Sequence, residues 1–267
     1  MAFPALSLHS FEGYDLAATT VGSGPPLLLV AGLGGRAVFW EHQIDALAEH
    51  FTVVLHDHRG TGSSTKHRGP YSIAQMAGDV LALMDRLEVD HAHFIGHSTG
   101  GAIGQHLAVH APLRLNKLVL SASWSRPSAY FEQLFALRLA TMDQLDRAQY
   151  TIDGSLRGFP AQYVAHHLDL LSGAGPAQVP DKDIQRARIN AILAHDLKDR
   201  LGDVSAQTLV ICAEDDAITP RPYSDEMAAA IPGATQIIVP TGGHFVPQSM
   251  PHLYTPAILD FLLGDDA

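Results

Sequence analysis

Ala92-His93-Phe94-Ile95-Gly96-His97-Ser98-Thr99-Gly100-Gly101-Ala102-Ile103-Gly104-Gln105-His106-Leu107-Ala108 is the stretch whose reading decides the fold. Its first four residues read as a short buried strand, and the residues from Gly101 read as a close-packed helix. Between them lies Gly-x-Ser-x-Gly, the pattern of a nucleophile elbow. A strand-to-helix turn this sharp needs glycines around the serine and holds the serine hydroxyl out at the sheet edge. The turn also puts Ser98 at a helix N-terminus, where unpaired N–H groups and the helix dipole favour negative charge. Taken alone the pattern is short, and a tight turn with an incidental serine would match it too. The remaining chain has to supply a base, an acid and an oxyanion donor in the right order.

Upstream, Leu6–Ser10 and Tyr14–Val21 read as strands, and Gly22-Ser23-Gly24-Pro25 as a turn. Pro26–Ala31 is a continuous apolar run, the pattern of a strand covered on both faces. It leads into Gly32-Leu33-Gly34-Gly35, and a helix is expected over Val38–His50. Thr52–Asp57 is the next buried strand, and Ser72 is placed to cap a helix over Ile73–Leu87. Lys117–Ala122 is the strand after the elbow helix. Strands alternating with helices imply an α/β fold with a mostly parallel central sheet and helices on both faces.

From Ser125 to about Arg200 the alternation stops. Helical patches at Tyr130–Leu145, Ala161–Leu171 and Asp181–Leu197 are separated by Gly158-Phe159-Pro160 and Gly173-Ala174-Gly175-Pro176. The strand–helix pattern then resumes through Thr208–Ala213, Arg221–Ile231, Thr235–Val239 and a last helix over Pro251–Leu263. The expected organisation is a core over residues 1–124 and 201–267 with a helical cap insertion over 125–200. Such an insertion is read as a lid over the carboxyl edge of the sheet, where α/β folds bind ligands.

Glu214-Asp215-Asp216 ends the strand Thr208–Ala213, and His244 follows Thr235–Val239 within Thr241-Gly242-Gly243-His244. The order Ser98, Asp216, His244 is the chain order of a serine hydrolase elbow with its acid and its histidine. His244 would take the Ser98 proton while Asp216 orients the imidazole. The chain has 16 histidines, so any one of them carries little weight by itself. His244 is singled out by its glycines and by its place after the last strand. The oxyanion hole is expected from the backbone N–H groups of Thr99 and Leu33. Trp124, Tyr130 and Phe245 are candidate pocket walls, with core packing as the alternative for each.

The bulk properties narrow the partners. Length (267 residues) and 46% hydrophobic content suit one α/β domain carrying an insertion. A net charge of −11, from 17 basic and 28 acidic residues, argues against nucleic acid and anionic membranes. The first residues lack the features of a signal peptide, and no apolar stretch reaches the length of a membrane span, so a cytoplasmic protein is expected. The one cysteine, Cys212, lies in an apolar strand and reads as a core thiol. His56-Asp57-His58 and His91-Ala92-His93 lack the further ligands of a zinc pattern, so no metal and no cofactor is expected. The expected partners are a small-molecule substrate and at most a second copy of the chain as a homodimer.

These pieces resemble a known family. The matching residues are Gly32-Leu33-Gly34-Gly35 with Trp40, Asp57-x-Arg59-Gly60-x-Gly62, Tyr71-Ser72-Ile73-Ala74-Gln75-Met76-Ala77, Gly96-His97-Ser98-Thr99-Gly100, Ile211-Cys212-Ala213-x-Asp215-Asp216 and Gly242-Gly243-His244. The chain resembles the α/β-hydrolase superfamily, most nearly the aminoacrylate (carbamate) hydrolases of pyrimidine degradation and then the 3-oxoadipate enol-lactonases. The resemblance implies the α/β-hydrolase fold and hydrolysis of a small ester, enol-lactone, carbamate or amide-like bond. It also selects Asp216 among the three acids, since the family acid lies four residues before a proline, here Pro220. Some aminoacrylate-hydrolase relatives carry alanine at the elbow, whereas this chain has Ser98, which favours covalent chemistry. The competing readings on the same fold are a small-molecule receptor with slow turnover and a cofactor-free oxygenase or perhydrolase.

Overall fold

The computed structural model describes residues 3–171 and 181–264. Its sheet has eight strands: β1 (Ser7–Phe11), β2 (Tyr14–Val21), β3 (Pro26–Val30), β4 (Thr52–His56), β5 (Ala92–His97), β6 (Leu115–Ser121), β7 (Gln207–Ala213) and β8 (Thr235–Val239). They lie in the order β1-β2-β4-β3-β5-β6-β7-β8. β2 runs antiparallel to β1 and β4, and every other neighbouring pair is parallel. The chain thus has the α/β-hydrolase architecture, and the carboxyl ends of β3, β5, β7 and β8 open on one edge.

The helices are α1 (Ile44–Ala48), α2 (Ile73–Arg86), α3 (Thr99–His110), α4 (Ala129–Met142), α5 (Arg147–Gly158), α6 (Ala161–Leu171), α7 (Lys182–Leu193), α8 (Pro222–Ala230), α9 (Val246–Ser249) and α10 (Pro251–Leu263). Successive strand residues point to opposite faces, so one apolar run feeds two cores. Leu28 and Val30 pack with Met76, Val80, Ile103 and Leu107 on the α2–α3 side. Leu27 and Leu29 pack with Trp40, Leu47, Ile258 and Leu262 on the α1–α10 side. Ser72 caps α2 as its sequence indicates, accepting from Gln75 N.

Three elements depart from the sequence reading. The helix expected over Val38–His50 is a 3₁₀ turn at Ala37–Trp40 followed by the five-residue α1. Gln43, between them, is buried and donates its Nε2 to the Pro247 carbonyl at 2.7 Å, a tertiary bond that a continuous amphipathic pattern does not reveal. α5 has no counterpart among the expected elements. Its interior carries Gly154 and many polar residues, yet a capping box starts it, with Asp146 and Gln149 bonding reciprocally. α8 runs Pro222–Ala230 with proline in its first turn, one residue shorter at each end than the expected Arg221–Ile231. The separator Gly173-Ala174-Gly175-Pro176 lies outside the described residues. Among the described residues, no helix is long and apolar enough to cross a membrane.

Candidate active site

Ser98 sits between β5 and α3 with φ 54° and ψ −114°, a left-handed backbone that a residue with a side chain adopts only when its surroundings enforce it. The surroundings here are hydrogen bonds to the Ser98 peptide groups. Ser98 N donates to the Ser121 carbonyl at 2.8 Å, and the Ser98 carbonyl accepts from Gly101 N at 2.9 Å and from Ser123 Oγ at 2.9 Å. The flanking glycines are required by contact: a Cβ on Gly96 would lie 2.2 Å from the Gly100 carbonyl oxygen, and one on Gly100 would lie 2.0 Å from that of Val30. Thr99, as the first residue of α3, presents one of the N–H groups that a helix leaves unpaired.

The loops after β7 and β8 bring Asp216 and His244 together. His244 Nδ1 lies 2.9 Å from Asp216 Oδ2, with both side chains buried. Asp216 Oδ2 also accepts from Thr219 Oγ1 at 2.8 Å, and its Oδ1 accepts from Ile218 N at 2.7 Å and Thr219 N at 2.9 Å. This fully satisfied carboxylate fixes the Nδ1–H tautomer and leaves Nε2 as the basic nitrogen. The Ser98 hydroxyl does not hydrogen-bond His244 in this structure; such contacts commonly tighten only with substrate bound. The other two acids separate as well. Glu214 is exposed and pairs with Arg221 at 2.9 Å. Asp215 accepts from Thr241 Oγ1 at 2.6 Å and Gly243 N at 2.8 Å, tying down the loop that carries His244.

His97, beside Ser98 in sequence, is fully buried, and its ring centroid lies 5.0 Å from that of His244. Burial, and then the neighbouring His244, hold it well below the usual histidine range, so His97 stays neutral.

Gly32-Leu33-Gly34-Gly35 packs directly against Ser98: a Cβ on Gly32 would be 3.1 Å from Ser98 Cβ. The loop's carbonyls are held from behind. Gly32 O accepts from Gly35 N at 2.9 Å, and Gly35 O accepts from His58 N and Thr61 Oγ1, each at 2.7 Å. Leu33 O accepts from Nε and Nη2 of Arg188, on α7, at 3.2 and 3.1 Å. With both peptide planes around Leu33 anchored through their carbonyls, its N–H direction is fixed. Arg188 is completely buried, also donates to Arg59 O at 3.2 Å and contacts His58 Nδ1 at 3.0 Å. Burial lowers its guanidinium to about 10, still charged at neutral pH.

A cavity of about 320 Å³ lies over these groups. Ala31, Gly32, Leu33, His97, Ser98 and His244 line it from the sheet edge, and Phe135, Arg138, Tyr150, Gln185 and Ile192 line it from α4, α5 and α7. Of the three expected wall residues, Phe245 lines the cavity. Trp124 is instead fully buried, its ring centroid 4.7 Å from that of Phe131 and 6.0 Å from His195. Tyr130 is half exposed and donates to the Ala217 carbonyl. Neither is among the lining residues: Trp124 belongs to the core beside Phe131, and the half-exposed Tyr130 is engaged with the loop after β7. The sequence reading misses Arg138, Tyr150 and Gln185; for Tyr150 the Asp146-x-x-Gln149 capping box is the available signal. Cys212 is buried in β7, and burial pushes its thiol up to about 11. The rings of His56 and His58 stack 5.1 Å apart, and among the described residues no three His, Cys, Asp or Glu side chains gather as a metal site.

The α/β hydrolase fold family matches residues 25–247. The carbamate hydrolase RutD of Caulobacter sp. (strain K31) is 37% identical over 245 residues, covering 90% of this chain and 91% of that protein. The enol-lactonase of Burkholderia xenovorans LB400 superposes with a TM-score of 0.88 at 28% identity, covering 96% of this chain and all of that one. A hydrolase from Pseudomonas aeruginosa superposes with a TM-score of 0.84 at 32% identity, over 97% and 98% of the two chains.

Proposed function

This chain belongs to the α/β-hydrolase family, and we propose that it is a serine hydrolase of small carboxylic esters, enol-lactones, carbamates or amide-like bonds, working through Ser98, His244 and Asp216. The observation that carries this reading is the Asp216–His244 hydrogen bond beside a cavity shared with a serine at positive φ.

Ser98 Oγ attacks the substrate carbonyl carbon while His244 Nε2 takes its proton. Asp216 Oδ2, bonded to Nδ1–H, stabilises the imidazolium that forms. Negative charge gathers on the carbonyl oxygen, where the N–H groups of Leu33 and Thr99 receive it as the oxyanion hole. His244 then protonates the leaving group, and an acyl-enzyme remains on Ser98. Water, deprotonated by the same histidine, releases the acid and restores the serine.

In this reading α4–α7 act as a cap whose inner side sets the size of the substrate. The cavity volume is at the small end of the range for ligand sites, which favours short acyl groups. The carbamate and the enol-lactone in the names of those relatives support a small-molecule substrate. A fluorophosphonate should label wild type at Ser98 and leave Ser98→Ala unlabelled, with ester turnover in that variant down by at least about 10³-fold. An alanine variant with wild-type turnover would overturn the covalent mechanism.

A further inference from the structure

The cavity runs against the charge balance of the chain. The protein carries 28 acidic and 17 basic residues, yet the residues lining the cavity include two arginines, Arg36 and Arg138, and no aspartate or glutamate. Among the described residues neither arginine has a carboxylate partner, whereas the neighbouring Arg157 and Arg186 pair with Asp153 and Asp143, each at 2.8 Å. Arg36 is exposed at the rim, where water screens it. Arg138, on α4, is partly buried and held in place by α5: its Nε and Nη2 lie 3.2 and 3.1 Å from the Tyr150 hydroxyl, and its guanidinium carbon is 4.9 Å from the ring centroid.

A phenol oxygen that accepts from a guanidinium keeps its own O–H to donate. The pair therefore offers the cavity that O–H together with the remaining guanidinium N–H groups. This is a donor set matched to the two oxygens of a carboxylate. The other walls are mostly apolar, with Phe39, Phe135, Ile192, Ile218 and Phe245 among them, so the field of Arg138 is weakly screened inside.

The geometry points to Arg138 and Tyr150 as a binding subsite for a substrate carboxylate separate from the bond cleaved at Ser98. The substrate class, resting on the hydrolase reading above, is then a small ester, lactone or carbamate that carries a second, ionised carboxylate. An uncharged analogue would leave the guanidinium without a counter-ion in a largely apolar cavity.

Monoethyl succinate and ethyl butyrate differ only in a carboxylate replacing a methyl group, and their kcat/KM ratio reads the subsite. Wild type should favour the half-ester by about tenfold or more, the worth of one charge-assisted hydrogen bond. Arg138→Gln should collapse that ratio, Arg138→Lys should recover part of it, and Tyr150→Phe should lower it less. A ratio unmoved by Arg138→Gln, or a wild type that prefers ethyl butyrate, overturns the proposal. Succinate binding to Ser98→Ala, measured by titration calorimetry, reads the same subsite without turnover. Adding Arg138→Gln should weaken it about tenfold, and unchanged binding overturns the subsite. Fluorophosphonate labelling of Ser98 separates the two readings. Labelling with a flat ester ratio removes the subsite alone, while absent labelling removes the hydrolase mechanism and leaves succinate binding to decide the subsite.

Discussion

On the sheet side of the cavity, Asp216 accepts four hydrogen bonds, the Gly32–Gly35 carbonyls are anchored, and His97 is kept neutral by burial. On the helix side, Arg138 has only the Tyr150 hydroxyl as partner among the described residues. The difference matches what the proposed mechanism and subsite ask of each side. Groups that move protons and stabilise developing charge work best when already oriented in a dry site, with nothing left to reorganise. A group that recognises a substrate must keep some of its donors open until the ligand arrives.

Arg188 and Arg138 make the same contrast within one set of helices. Arg188 turns inward, is fully buried and bonds backbone carbonyls, so it belongs mechanically to the sheet side although α7 carries it. Arg138 faces the cavity.

The largest effect expected on the sheet side is that of Asp216→Asn. An asparagine amide in place of the carboxylate would favour the wrong histidine tautomer, and kcat should fall by about 10⁴-fold with little change in unfolding midpoint. A loss smaller than about tenfold would show that another acid orients His244. Stability below neutral pH tests how dry the interior is around two further buried histidines, His56 at the end of β4 and His195 just after α7. Burial lowers both His56 and His195 to about 4, while an unfolded histidine titrates near 6.5. The unfolded chain therefore takes up protons first. Stability is complete above pH 6.5 and is lost as pH falls toward 4, by up to about 3 kcal/mol for each histidine. Urea midpoints at pH 7.5 and pH 5 should differ in that direction, and equal midpoints would mean these rings are hydrated.

Arg188→Met keeps most of the side-chain bulk and removes every bond to Leu33 O and Arg59 O. If Arg188 positions the oxyanion loop, kcat should drop by about ten- to a hundredfold while KM moves less than about threefold. Arg188→Lys should recover part of the loss, and an unchanged kcat would show that the loop supports itself. Asp215→Asn is the mildest change, because the amide oxygen still accepts from Gly243 N. A loss within about tenfold is expected from assays on one ester, and a dead variant would give Asp215 the role assigned to Asp216.

The parts legible in the sequence are those that the local backbone dictates. The Gly96–Gly100 turn, the apolar runs of β3 (Pro26–Val30) and β7 (Gln207–Ala213), and the glycine loop after β3 follow from short stretches whose neighbours in sequence are their neighbours in space. The chain order of Ser98, Asp216 and His244 was legible too, since parallel strands bring the ends of separate segments to one edge. Side-chain partners between distant helices were not. Nothing near Ala187 or Asn190 indicates that Arg188 reaches the carbonyl of Leu33, 155 residues away, and nothing near Tyr130 shows that the cavity side of α4 is the one with Phe135 and Arg138. α5 was hidden because so few of its residues are apolar that its buried face is short, although its capping box was present. A turn or a buried strand is fixed by steric rules and hydrophobic pattern within a few residues, whereas the face that α4 or α7 turns toward the site depends on how all the helices pack together.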